Sequence, residues 1–265
     1  MSAPFVPVTR RWADLSGPSL VAATSDRSLA IVPIGAIEHH GPHLPLRTDA
    51  LVAESVAAAA VERAAASGVD AWLLPTIEYA KSDEHHWAPG TLWLEGTTLL
   101  EQLIEIGRSI AMTPVRTVVF VNGHGGNVML LGWANRELRR RFGLRSFSMP
   151  AGAGAAGDGV DGRPDELGQG IHAGYGETSV VMHLAPHLVA PDMPPRNVPE
   201  KIAGMTHIGF NRKPVMFGWT SEDFGPTGVI GDPTGANAAE GRILFERGVD
   251  FVTEALVEID GFEFG

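Results

Sequence analysis

Four short apolar runs, separated by longer segments of helical spacing, constrain this chain more tightly than any other feature. Residues 29–34, 71–77, 116–121 and 144–149 read as strands, with Pro75 near the end of the second. Residues 50–66, 95–111 and 128–142 carry the apolar periodicity of helices, the first of them rich in Ala. Parallel strands need long crossover connections, and those crossovers are usually helices. The β–α–β–α order therefore predicts an α/β fold with a largely parallel sheet covered on both faces. With 265 residues, 44% of them hydrophobic, and no internal repeat or linker, one domain over 1–265 is expected.

Downstream the rhythm loosens. Residues 151–162 (AGAGAAGDGVDG) read as a Gly-rich connection, 177–184 as a helix, and 234–258 as a last helix after Asp232-Pro233. Residues 191–233 are rich in Pro and Gly yet hold Ile208, Phe210, Val215, Met216, Phe217 and Trp219. That segment is too aperiodic for a core element and too apolar for a free loop. It predicts an arm used in a homo-oligomer.

Open parallel sheets bind ligands beyond the carboxyl ends of their strands, and three chemically loaded segments fall there. Glu38 and His40 follow the first strand two residues apart, a spacing that puts both side chains on one side of an extended chain. Asp49 comes next, at the predicted start of the Ala-rich helix. An oxygen ligand, a nitrogen ligand and a second carboxylate able to bridge make the beginning of a site for one or two divalent metals.

His124 follows the third strand between Gly123 and Gly125. Taken alone, GHGGN fits equally a turn that approaches a ligand and a tight turn in which the histidine is incidental. It lacks the spacing and the lysine of nucleotide-binding loops. The loop after the second strand carries Glu84, His85 and His86, and its histidines fit a site or solvent equally. His172, in a Gly-flanked loop, is a candidate for proton transfer; Glu177, at a helix start, fits a ligand or a helix cap. His183 and His187 lie four apart, at helical ligand spacing, and receive no role.

There is no cysteine, so any metal must sit among His, Asp and Glu. A formal charge of −11 argues against a nucleic-acid partner, and Arg139, Arg140 and Arg141, the one basic run, fall at a helix end. No apolar stretch reaches the roughly 18 residues of a membrane span, and residues 1–12 lack a signal peptide's apolar core. A cytoplasmic protein without a membrane partner is expected.

Read together, these residues resemble the creatininase (creatinine amidohydrolase) family. The run Glu38-x-His40-Gly41-Pro42-His43-Leu44-Pro45-Leu46-x-Thr48-Asp49 is similar to that family's first motif. Ser82-x-Glu84-His85 with Pro89-Gly90-Thr91, then NGHGGN from Asn122 to Asn127, then His172-Ala173-Gly174 with Glu177-Thr178-Ser179, follow in the family's order. Thr227-Gly228-Val229 and Gly231-Asp232-Pro233-Thr234 complete a likeness that spans residues 28–258.

The resemblance implies a three-layer α/β/α sandwich, two divalent ions per chain (zinc, manganese or iron) and hydrolysis of amide C–N bonds, often cyclic, other than ordinary peptide bonds. It makes Glu38, His40, Asp49 and His124 metal ligands, with Asp49 bridging, Glu38 and His124 on one ion and His40 on the other. His172 would shuttle a proton to the leaving nitrogen after attack by water activated at the two ions. A hexamer is the implied assembly.

Two departures matter. Creatininase itself carries a Tyr-Glu pair where this chain has Gly125 and Gly126, and that glutamate is a metal ligand. Its absence argues against creatinine as substrate and leaves the second ion short of a carboxylate, which Glu177 would supply, as in relatives with the same GHGGN pattern. Arg47 also replaces a residue that is usually small, and His39 stands where Gln is common. The function expected is thus a metal-dependent amidohydrolase acting on a small-molecule amide. Deformylation, cleavage of a small peptide, and metal binding without catalysis are the alternatives. Trp87, Trp93, Tyr175, Phe217 and Trp219 are the predicted pocket walls.

Overall fold

The computed structural model describes residues 9–152, 164–210 and 213–264. Along the chain come α1 (Gly17–Ala23), β1 (Leu29–Ile34), α2 (Thr48–Ala66), β2 (Ala71–Leu73), α3 (Gly96–Ala111) and β3 (Thr117–Asn122). They are followed by α4 (Val128–Phe142), β4 (Arg145–Pro150), α5 (Tyr175–Leu184), the short α6 (Glu200–Ala203) and α7 (Ala238–Asp260). The strands form a four-stranded parallel sheet in the order β2-β1-β3-β4.

The layers follow from the two-residue alternation of strand side chains. Leu29 and Ile31 of β1, with Val119 and Val121 of β3, pack against Ala53, Ala57 and Ala60 of α2 and Val252 and Leu256 of α7. Ala30, Val32 and Ile34, with Val118 and Phe120, pack the other way against Leu99 and Leu103 of α3 and Leu131 and Leu138 of α4. Each fully buried aliphatic side chain contributes about 1.5–3 kcal/mol. Helix on both faces of a parallel sheet is the α/β/α sandwich the sequence implied. No helix among the described residues is long and apolar enough to cross a membrane.

The strand order also fixes where a ligand can go. From β1 the chain moves to one side, to β2; it then returns past β1 to β3 and continues to β4. α2 lies on one face, α3 and α4 on the other. The carboxyl ends of β1 and β3, paired through Ile34 and Asn122, therefore flank the switch point where such sheets open a crevice.

Several predicted elements differ in extent. The expected strand 71–77 stops at Leu73. Continuing its register would set Ile34 against Thr76, but Ile34 faces Ile77, so one residue is bulged out beside Pro75, which has no N–H to donate. The last helix begins at Ala238 rather than 234: Asp232 holds Thr234 in a turn, and the Asn237 side chain caps the helix by accepting the Glu240 N–H. His183 lies in the last turn of α5 while His187 sits in a separate 3-10 turn, Pro186–Leu188, so the two do not share a helix. The Gly-rich connection 151–162 lies outside the described residues beyond Gly152. In the 191–233 segment, Phe210, Phe217 and Trp219 cluster with Phe224 at ring separations of 5.3–5.8 Å, while Ile208, Val215 and Met216 remain exposed.

Candidate metal centre

Close approach of α2 to the strand ends starts the site. A Cβ at Gly35 would fall on the backbone of Ala50, and one at Gly123 on the carbonyl of Asp49. Only glycine at both strand ends lets the first turn of α2 press this close, and that turn delivers Asp49. The Asn122 and Asn127 side chains pin the His124 turn: Asn122 Nδ2 donates to the His124 carbonyl at 2.7 Å, and Asn127 Nδ2 to the Gly35 carbonyl at 3.0 Å.

Four of the predicted residues then converge in the interior. Asp49 reaches both histidines, with Oδ1 3.2 Å from His40 Nε2 and Oδ2 3.0 Å from His124 Nδ1. Glu38 Oε2 lies 3.2 Å from His124 Nδ1, and Glu38 Oε1 3.9 Å from His40 Nε2. Each ring is oriented from behind. His40 Nδ1 lies 3.2 Å from the Glu38 carbonyl and His124 Nε2 2.8 Å from the Lys81 carbonyl. With those nitrogens donating, His40 Nε2 and His124 Nδ1 present lone pairs to the centre, the usual arrangement behind a metal-bound imidazole.

Glu177 joins from α5, its Oε2 4.0 Å from His40 Nε2 and accepting the Ala173 N–H at 2.5 Å. His43, buried behind the centre, has Nε2 2.9 Å from Thr178 Oγ1 and so ties the first motif to α5. His172 Nε2 lies 2.7 Å from the His39 carbonyl and its Nδ1 3.6 Å from Glu38 Oε1.

Two histidines of the loop after β2 separate. His85 is buried, with Nε2 3.5 Å from Glu38 Oε1 and its ring 4.1 Å from that of His172. His86 is exposed. Glu84 occupies the space left by Gly126, where a Cβ would strike its carboxylate, and lies 3.3 Å from His124 Nε2.

The donor set fits divalent cations. Both oxygens of Glu38, His40 Nε2 and Asp49 Oδ2 are buried without a hydrogen-bond partner among the described residues. Buried polar atoms left this way are costly unless a cation lies between them. The ligand atoms form overlapping groups: Glu38 with Asp49 and His124, His40 with Asp49 and Glu177, and Glu38 with His40 and His172. Asp49 belongs to the first two, as a bridging carboxylate must.

Charge reinforces the reading. Burial pushes His40 down, but Asp49, Glu38 and Glu177 together outweigh it and raise the imidazole to about 10. Burial also opposes protonation of His124, yet Glu38 and Asp49 lift it well above 6.5. In the metal-free site these protons stand in for cations. Burial, with Asp49 nearby, raises Glu38 and Glu177 each to about 7. Burial, then His40 and His85, hold His172 well below 6.5, so it rests neutral. Burial and His40 bring His85 down to about 3.

The centre opens into a cavity of about 690 Å³. Glu38, Asp49, His124, His172 and Glu177 line one side of it, and Met129, Phe210, Met216, Phe217 and Trp219 supply apolar lining. Of the predicted walls, only Phe217 and Trp219 take part. Trp87 instead donates Nε1–H to Ser221 Oγ at 2.8 Å, Tyr175 is buried in the first turn of α5, and Trp93 is partly exposed. Sequence reasoning missed Glu166 altogether, a buried carboxylate whose Oε1 accepts the N–H of Tyr175 at 3.2 Å and of Asp232 at 2.6 Å.

Comparison with known proteins follows the same line. Residues 13–256 match the family model described as Creatininase: Creatinine amidohydrolase. A mycofactocin precursor peptide peptidase of Mycolicibacterium smegmatis is 37% identical over 227 residues, covering 84% of this chain and 81% of that protein. A creatinine amidohydrolase of Pseudomonas putida is 32% identical over 128 residues, covering 45% of this chain and 47% of that one. Among solved structures, a putative creatinine amidohydrolase from Bacteroides fragilis superimposes with a TM-score of 0.74 at 22% identity, over 91% of this chain and 92% of its own. A mutant creatininase of the Zn-Zn type does so with a TM-score of 0.71 at 23% identity, over 96% and 99%.

Proposed function

Because the chain belongs to the creatininase family, we propose that it is a metal-dependent hydrolase that cleaves an amide bond in a short peptide. The observation that carries this is the unpartnered buried donor set facing a cavity of about 690 Å³ with an apolar side. Cavities of that size hold ligands larger than one small ring. The 37% identical relatives named as precursor-peptide peptidases support the peptide over the cyclic amide expected from the sequence.

In this reading Glu38, Asp49 and His124 would hold one ion and His40, Asp49 and Glu177 the other. Bound there, zinc or manganese would activate water near neutral pH and polarise the amide carbonyl. The neutral His172, its Nε2 committed to the His39 carbonyl, has Nδ1 free to take a proton and pass it to the departing nitrogen. The protein needs that transfer because an amide nitrogen leaves poorly without a proton. Glu84 and Lys81 keep the His124 ring in place from behind. The exposed Ile208, Val215 and Met216 support a homo-oligomer, which light scattering at micromolar concentration tests.

The deciding experiment reconstitutes the metal-stripped protein with zinc or manganese and assays short peptides beside cyclic amides and formamides. Metal-dependent cleavage of peptides is expected. Turnover of cyclic amides with peptides untouched would overturn the substrate class, and a metal content near zero would overturn the whole reading.

A further inference from the structure

We propose that Glu166 is a positioning residue that sets His172 and Glu177 against the rest of the centre, an inference that rests on the function proposed above. Glu166 acts on a candidate metal ligand only from a distance among the described contacts, its charge helping to raise Glu177. It is nonetheless buried, and one oxygen, Oε1, collects two backbone N–H groups from separate segments: Tyr175, the first residue of α5, and Asp232. The chain clears room for it three times. A Cβ at Gly170, Gly174 or Gly231 would fall on the Glu166 carboxylate.

What these contacts fix is the frame of the second half of the site. Next to Asp232, Ile230 pairs with His172 through Ile230 N–H to the His172 carbonyl at 2.9 Å and His172 N–H to the Ile230 carbonyl at 3.1 Å. Ala173 follows at φ 54°, a conformation costly for a residue with a Cβ and held only when its surroundings enforce it. Gly174, at the N-cap of α5, offers no side chain to the helix. Glu166 fills that role from another segment, placing a carboxylate where the helix dipole favours one. Glu177, in the same first turn, is thereby set with its Oε2 on the Ala173 N–H. The carboxylate therefore locks the Ile230–Asp232 strip, the His172 loop and the start of α5 into one unit.

The test titrates metal into the stripped wild type and Glu166 variants, and follows backbone amide exchange in the metal-free forms. Glu166→Ala should keep the ion held by Glu38, Asp49 and His124 at wild-type affinity and weaken the ion needing Glu177 by about 10–100-fold, the usual cost of losing an outer support. The Tyr175 and Asp232 amides should lose exchange protection together. Glu166→Gln, whose carboxamide oxygen can still accept both N–H groups, should restore the second ion to within a few-fold. Glu166→Asp, one methylene short, is the milder variant should alanine not fold, and must show the same selectivity for the second ion. Equal weakening of both ions, no weakening, or a glutamine variant as damaged as alanine would overturn the proposal. If the wild type takes up no metal, the functional reading fails, while exchange at Tyr175 and Asp232 still decides whether Glu166 anchors the loop.

Discussion

Glu38, His40, Asp49 and His124 stand on the ends of β1 and β3 and the first turn of α2, whereas His172 and Glu177 stand on a loop and a helix start from the second half of the chain. The two regions are held by different means. The first inherits its geometry from the parallel ladder and from helix–sheet contact so close that Gly35 and Gly123 cannot carry a side chain. The second is tied by two isolated backbone bridges, His172 with Ile230 and Asn197 with Gly231, and by side chains that reach backbone groups, Glu166 and Asn197 among them. The described non-glycine residues at positive φ, Leu167 and Ala173, both lie in this second region. A cooperative sheet resists local opening, and a loop frame with few ladder bonds opens more readily. The strand-built half is thus built for permanence, and the loop-built half, with His172 and Glu177, for adjustment.

The comparison breaks first at Asp49. Its two oxygens face His40 and His124, so Asp49→Ala should release both ions and leave turnover at the uncatalysed background. Metal analysis after desalting checks it; retention of one full ion would mean that Asp49 does not bridge. His172 is the counterpart in the other half. His172→Ala should keep both ions and the fold but lose roughly 10²–10⁴-fold in kcat, the range for a general acid–base. Substrates with better leaving groups should suffer less. Loss of metal in step with activity would make His172 a ligand, as its grouping with Glu38 and His40 allows, and would erase the division between the halves.

Legibility in the sequence follows the same division. Continuous apolar runs in the strands and heptad-like Ala spacing in α2 report their own burial, so the sheet, its covering helices and the three-residue cluster after β1 can be read directly. His124 is legible from its position after a strand and from the family pattern. Glu166 carried no such signal: it sits in a polar stretch, and the glycines that make room for it are spread from Gly170 to Gly231. His85 and His86 are neighbours of the same type, and only tertiary contact buries one and leaves the other in solvent. The walls Trp87, Trp93 and Tyr175 were misplaced for the same reason. Aromatic residues near a site in sequence can face away from it, while Phe210, not among the predicted walls, lines the cavity.

A smaller effect, and one that sharpens the contrast, is the opposite pH response of the metal-free and metal-loaded protein. Carboxylates raise His40 to about 10 and push His124 up, so both favour the protonated form in the metal-free protein. A divalent ion can use their central nitrogens only by expelling those protons, so affinity should rise with pH between 6 and 9, up to about tenfold per pH unit for each proton released. Stability of the stripped protein runs the other way. Groups with raised folded-state pKa stabilise fully below their unfolded values and lose that contribution as pH climbs through the folded ones. Glu38 and Glu177, raised from 4.5 to about 7, and then His40, raised from 6.5 to about 10, place that loss between pH 4.5 and 10. Thermal melts with and without chelator should therefore diverge as pH rises. Parallel curves would show that the histidines are not protonated in the metal-free site.

The smallest expected effect belongs to the apolar wall, which tests whether the loop-built half also recognises substrate. Trp219 lines the cavity, its ring 5.3 Å from Phe210 and 5.8 Å from Phe224. If a peptide side chain rests on this wall, Trp219→Ala removes binding made equally in the ground and transition states, which raises KM and spares kcat. An aromatic contact of this kind is worth about 0.5–1.5 kcal/mol beyond its buried area, so KM should rise roughly tenfold. Trp219→Phe, which keeps a ring in the cluster, should restore most of it. The metal content must stay unchanged, because the strand-built half does not depend on this cluster. A formamide or small cyclic amide too short to reach the wall should show no change in KM. If instead Trp219→Ala lowers kcat for every substrate as His172→Ala does, the wall is part of the machinery that positions His172, and substrate recognition lies elsewhere in the cavity.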